Sequence, residues 1–153
     1  MEFNEKNFEK ARQFYEESLT HGEPVSWTSA MTSINLGSLA RLRGDWEQAR
    51  TYYQRTKEIS ERLGAETGIS SAKGWLASLA LAQRDMEEAR KGWESVLEAT
   101  WIRTNPLYRG ITVGFLGYID LLMGNEKEAR WRLKQGLETS VEYLNQTPNL
   151  MES

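Results

Sequence analysis

Residues 35–59 read NLGSLARLRGDWEQARTYYQRTKEI, and this stretch decides the fold. Leu36 and Leu39 ahead of Gly44, and Trp46, Ala49, Tyr53 and Thr56 behind it, recur at the three- and four-residue spacing of a helix face. Gly44 suits the left-handed end of one helix. Asp45 suits the N-cap of the next, with Gln48 three positions on in a capping-box arrangement. The segment therefore reads as a helix, a tight turn and a second helix. No run in the chain alternates with period two, so no strand is expected.

The same template recurs along the chain. GDWEQARTYYQRTKEI from Gly44 aligns with RDMEEARKGWESVLEA from Arg84, GNEKEARWRLKQGLET from Gly124 and KNFEKARQFYEESLTH from Lys6. Ala11, Ala49, Ala89 and Ala129 anchor the four copies, at spacings of 38, 40 and 40 residues, and an arginine follows each. Ahead of the last three copies, Leu36, Leu76 and Leu116 share a column, as do Leu39, Leu79 and Ile119. Gly37, Ala77 and Gly117 form a small-residue column. A fixed period of this length means stacked supersecondary units. Asp45, Asp85 and Asn125 are the expected N-caps, with Asn7 in the first copy. Arg84 stands where a glycine would ease the turn, so it must either adopt positive φ or turn differently. Asn105-Pro106 and Glu23-Pro24 mark further helix starts, and Gly64 marks a helix end. Seven helices are predicted, near 4–21, 25–43, 45–63, 67–83, 85–102, 106–123 and 125–144.

The residues that carry this pattern resemble the tetratricopeptide repeat family. Leu36-Gly37, Gly44-Asp45, Ala49 and Tyr53 follow the family's columns, and Leu116-Gly117, Gly124-Asn125 and Ala129 come close. The period of 40 rather than 34 is similar to the longer-helix branch found in bacterial signalling and regulatory proteins. No proline closes each repeat, where Glu61 and Trp101 stand instead. The resemblance implies an all-α, right-handed superhelical solenoid of antiparallel helix hairpins over 1–145. That span comprises a leading helix at 4–21, repeats at 25–64, 65–104 and 105–144, and a polar tail at 145–153. The leading helix matches the second helix of a repeat with no partner before it. It either caps the stack or marks a domain fragment of a longer array. The fragment is the favoured expectation, since Phe3, Phe8 and Phe14 make a poor polar cap.

Composition narrows the function. Lys plus Arg number 19 against 22 Asp plus Glu, so no basic excess exists to neutralise a nucleic-acid backbone, and no nucleic-acid partner is expected. Cysteine is absent and His21 is the one histidine, which leaves no soft metal site; no metal and no cofactor are expected. The N-terminus lacks an apolar signal-peptide core. The longest apolar run, Gly110 to Gly124, includes Asp120 and is too short for a bilayer span. No membrane association is expected, and a cytoplasmic location is. Within that run, Gly110 and Gly114 are expected to let two helices approach closely in water.

Catalytic patterns are thin. Ser70-Ser71-Ala72-Lys73 fits an S-x-x-K motif whose companions are missing, and no phosphate loop or nucleophile elbow exists. The chain is expected not to be an enzyme. Asp120 replaces Ala40 and Ala80 in a buried column, so it needs a partner such as Arg130, Arg132 or a tyrosine hydroxyl.

The informative surface is the concave one that the resemblance implies, lined by first helices. Its candidate groove residues are Ile34, Asn35, Ser38, Arg41, Trp75, Ser78, Phe115 and Tyr118. Trp75 and Phe115 occupy equivalent places one repeat apart, and serve either as ligand anchors or as packing between repeats. The family's carboxylate clamp for chaperone tails finds only Asn35 in place, with Ile34 and Ser38 where lysine and asparagine belong. Trp131, in a column otherwise polar, is a candidate association surface awaiting a following helix or a second subunit. The expected function is a non-catalytic scaffold that binds a protein or peptide segment. The alternative is a sensory module that binds a small ligand or signalling peptide and controls an attached effector domain. Self-association is compatible with either.

Overall fold

The computed structural model describes residues 5–146, which are all-helical: eight helices and no strand among the described residues. They are α1 (Glu5–His21), α2 (Trp27–Leu42), α3 (Trp46–Arg62), α4 (Glu66–Ala82), α5 (Met86–Leu97), α6 (Thr100–Thr104), α7 (Pro106–Leu122) and α8 (Glu126–Gln146). They form two compact units that divide between Leu79 and Ala80, in the last turn of α4.

The first unit is built around one ring. Tyr53 of α3 is fully buried with Ala40, Ala49 and Leu79, and Trp46, Trp75 and Leu76 pack against this cluster. Its ring lies on Gly37 of α2, where an added Cβ would come within 2.5 Å of it. The small-residue column thus exists to seat a large one. Phe8 of α1 is buried under the Arg43 guanidinium, 4.1 Å from its ring centroid, and Arg43 also pairs with Glu5 and Glu9. Phe8 is therefore not part of an exposed cap face, whereas Phe14 is exposed; Phe3 lies outside the described residues.

The turns follow one pattern in both units. Asp45 N–H donates to Ala40 O, Asp85 N–H to Ala80 O and Asn125 N–H to Asp120 O, at 2.8–2.9 Å, closing each preceding helix as a Schellman-type cap. The Asp45 and Asp85 carboxylates accept from the N–H groups of Gln48 and Glu88 at 3.1 Å, as N-caps do. The reciprocal half of the expected capping box is displaced, because the cap residue's own N–H is already spent on the previous helix. Gly44, Gly64 and Gly124 take positive φ, and Arg84 does so as well, at 61°.

Four expected boundaries are corrected. α2 starts at Trp27, because the Ser26 hydroxyl accepts from Ser29 N–H at 3.1 Å and makes a better cap than Glu23-Pro24. Asn7 lies inside α1 rather than capping it. The helix expected over 85–102 is two, so the described residues hold eight helices rather than seven. α5 ends at Leu97, Ala99 is extended with ψ 133°, and α6 follows. That break buries Ile102 and turns Trp101 edge-on to Tyr108 at 5.0 Å across the Asn105-Pro106 start of α7. α8 extends to Gln146, inside the expected tail, the rest of which (147–153) lies outside the described residues.

In the second unit α7 and α8 approach as the glycine spacing anticipates. A Cβ on Gly110 would meet Ser140 Oγ at 2.3 Å and Gly136 O at 2.7 Å, and one on Gly136 would meet Gly114 N at 3.1 Å. The expected approach holds at Gly110, whereas a Cβ on Gly114 would meet nothing within 4 Å, and Gly136 is the unanticipated small residue facing them.

Two stability predictions follow from this geometry. Arg84→Gly relieves a left-handed side chain and should raise the unfolding free energy by about 0.5–1 kcal/mol, read as a higher urea midpoint at unchanged slope. Gly110→Ala forces backbone apart and should cost about 2–3 kcal/mol by the same measurement.

Candidate binding surface

The read groove residues fall in both units, and each unit holds its own set. In the first, Asn35, Ser38 and Arg41 follow one another at three-residue intervals along α2, a spacing that brings side chains to neighbouring places on a helix. All three are half-buried, as is Ile34 beside them. Ser38 Oγ stands 3.4 Å from Tyr53 OH. Trp75 of α4 stacks on the other side of that tyrosine, with centroids 5.7 Å apart and planes 16° apart, and Ser78 lies one turn further along α4. Ser38, Tyr53 and Trp75 thus form one chain of contacts from α2 through the buried ring of α3 to α4.

Arg41 is the unusual member. Its Nε is buried with no hydrogen-bond partner, and no ion pair reaches its guanidinium among the described residues. Leu81 and Leu121 hold the same column in the later copies. Asn35 likewise makes no hydrogen bond among the described residues. Tyr52, next to the central ring, has its phenol raised above the usual tyrosine range, first by burial and then by the Glu16 carboxylate.

In the second unit Phe115 of α7 stacks on Trp93 of α5, with centroids 4.4 Å apart and planes 4° apart. Trp75 and Phe115 therefore do the same thing: each covers the large residue four positions after a repeat alanine. One face of each ring is committed to packing, and only the remaining face and edge are open to a ligand. Tyr118 is exposed one turn beyond Phe115. Trp131 on α8 is 58% exposed and walls a cleft of about 480 Å³ floored by Leu97, Val113 and Leu116.

Asp120 is wholly buried and lies between two guanidiniums. Arg90 donates to Oδ1, and Arg132 Nη1 stands 3.3 Å from Oδ2. Arg132 is among the expected partners; Arg130 and a tyrosine hydroxyl are not used. Arg90 was overlooked, although it belongs to the arginine column that follows each repeat alanine. That pair ties α5, α7 and α8 together, and it marks Asp120 as a packing residue. Ser70 is equally structural: it is buried and donates to Glu66 O at 2.9 Å. Among the described residues no group of three acidic or imidazole side chains could hold a metal ion, and no helix is long and apolar enough to cross a membrane.

No family model matches the chain, and a search of curated proteins finds no match. A crystal structure of BtubC (BKLC) from P. vanneervenii is similar in fold, with a TM-score of 0.79 at 22% identity over 90% of this chain. The match takes in 58% of that protein, so this chain spans little more than half its length. At this identity the likeness shows the fold alone.

Removing the buried carboxylate tests its structural assignment. Asp120→Ala restores the residue found at positions 40 and 80 but strands two partly exposed arginines. It should cost about 1–3 kcal/mol of unfolding free energy, measured by urea denaturation, with the helical spectrum retained.

Proposed function

We propose that this chain is a tetratricopeptide-like solenoid of helix pairs acting as a non-catalytic scaffold for a protein or peptide segment. Its ligand lies along Asn35, Ser38 and Arg41 of α2 with Trp75 and Ser78 of α4 as the facing wall. The observation that carries this reading is Arg41. A half-buried guanidinium with no counter-charge among the described residues is an expensive arrangement for a fold that uses leucine at the same place twice. A ligand carboxylate supplies the missing partner, by a charge-assisted hydrogen bond. Asn35 offers both a donor and an acceptor to a peptide backbone, and the open edge of Trp75 takes an adjacent apolar side chain. The second unit presents its own aromatic edge at Phe115 with Tyr118.

The reading predicts opposed effects on stability and binding. Arg41→Leu should stabilise the fold by about 1 kcal/mol, because it replaces an unpaired buried cation with the residue of the later columns. On an immobilised array of random short peptides, wild type should retain sequences with an acidic residue beside an apolar one. Arg41→Leu and Arg41→Gln should lose them by about tenfold, and Trp75→Ala by more. The convex control Lys91→Ala should bind as wild type does. If Arg41→Leu instead destabilises the protein and leaves the retained peptides unchanged, Arg41 is a packing residue and the surface is not the site.

A further inference from the structure

The cleft of about 480 Å³ among α5, α7 and α8 carries charged side chains that the fold does not use. Leu97, Val113 and Leu116 floor it. Glu94 lines it from α5, Arg109 from α7, and Trp131, Arg132, Gln135 and Thr139 from α8. Its volume falls in the range of small-molecule sites, about 300–1,000 Å³. Gln135 is two residues from both Leu133 and Leu137, so the cleft occupies the side of α8 turned away from those exposed leucines.

The contacts between the helices order the residues along the cleft. Trp93 on Phe115 and Arg90 on Asp120 set α5 antiparallel to α7, which brings Glu94 level with Leu116. Gly136 beside Gly110 and Arg132 beside Asp120 set α8 antiparallel to α7 as well. Trp131 is thereby level with Leu116, and Thr139 with Arg109. Glu94 and Trp131 therefore stand at one end of the cleft, and Arg109 and Thr139 at the other. Seven residues of α7 separate the two ends, about 10 Å at the rise of a helix.

Three charged side chains line the cleft, and they differ in how they are answered. Arg132 pairs with Asp120 and Glu128, and Asp120 also takes Arg90, so those four charges balance. The Gln135 amide donates to Glu138. The side chains of Glu94 and Arg109, by contrast, make no ion pair or hydrogen bond among the described residues. Nor does the Trp131 ring touch another ring there. Ser29 and Ile69 hold the column of Arg109, and Thr51 and Lys91 that of Trp131, so the repeat itself requires neither residue.

We propose that this cleft is a second binding site, for a free apolar peptide of about three residues with both ends charged. Its ammonium lies between the Glu94 carboxylate and the Trp131 ring, both of which attract a cation. Its carboxylate pairs with Arg109 and accepts from the Thr139 hydroxyl. Its side chains rest on Leu97, Val113 and Leu116. Three extended residues span about 10 Å, the distance between the charged ends. A purely anionic ligand would leave Glu94 unanswered, a purely cationic one would leave Arg109 so, and an internal stretch of protein backbone brings neither end charge.

Isothermal titration calorimetry with the tripeptide leucyl-alanyl-leucine tests this. Wild type should bind with a dissociation constant of about 0.1–1 mM, as befits a ligand of few atoms in an open cleft. Acetylating the amine or amidating the carboxylate should each weaken binding about tenfold. Glu94→Gln should bind the free and acetylated peptides equally, and Arg109→Gln the free and amidated ones, because each variant lacks the partner of the capped group. Trp131→Ala should weaken binding about tenfold. These three side chains are exposed, so the variants should keep the wild-type helical spectrum. Arg41→Leu should bind the tripeptide as wild type does, which separates this site from the α2 surface. An absence of binding at roughly 5 mM peptide overturns the proposal. So does a doubly capped peptide that binds as tightly as the free one, a Glu94→Gln or Arg109→Gln variant that still rejects its capped peptide, or a loss of binding in Arg41→Leu.

Discussion

A ring four residues after a repeat alanine, Tyr53, organises the first unit, and Trp93 repeats it in the second. Tyr53 lies against Gly37 on one side and stacks on Trp75 on the other, so one fully buried side chain joins α2, α3 and α4. Trp93 and Phe115 repeat the stack between α5 and α7. Both requirements are steric. The glycine is small because the ring needs its volume, and the next helix carries an aromatic because a ring is best covered by another ring.

This constraint also shapes where function can sit. Trp75 and Phe115 are part of the packing, so their capacity to bind is confined to an open face or edge. The polar stripe of Asn35, Ser38 and Arg41 is under no such obligation. Arg41 in particular has no ion pair among the described residues and occupies a place that leucine fills twice elsewhere. Asp120 makes the contrast plain. It too is a charge in an otherwise apolar column, but Arg90 and Arg132 answer it within the second unit. A buried charge with internal partners reads as architecture, and one without them reads as a receptor for an external partner.

Local chemistry made much of this legible from the sequence alone. The helices and their Gly-Asp turns depend on residues within a few positions of one another, as did the choice at Arg84 between positive φ and a different turn, which the structure resolved as positive φ. The columns repeated often enough to be aligned without a structure. The break after Leu97 was not legible, because it goes with the burial of Ile102 and the contact of Trp101 with Tyr108, which no local preference records. Arg90 as the partner of Asp120, 30 residues away, was hidden for the same reason. Sequence specified that a charge had to be answered, that a ring had to be seated and that a helix had to end. Only the tertiary structure decided which side chain did the answering and which guanidinium was left without a partner, because burial and pairing belong to neighbours in space.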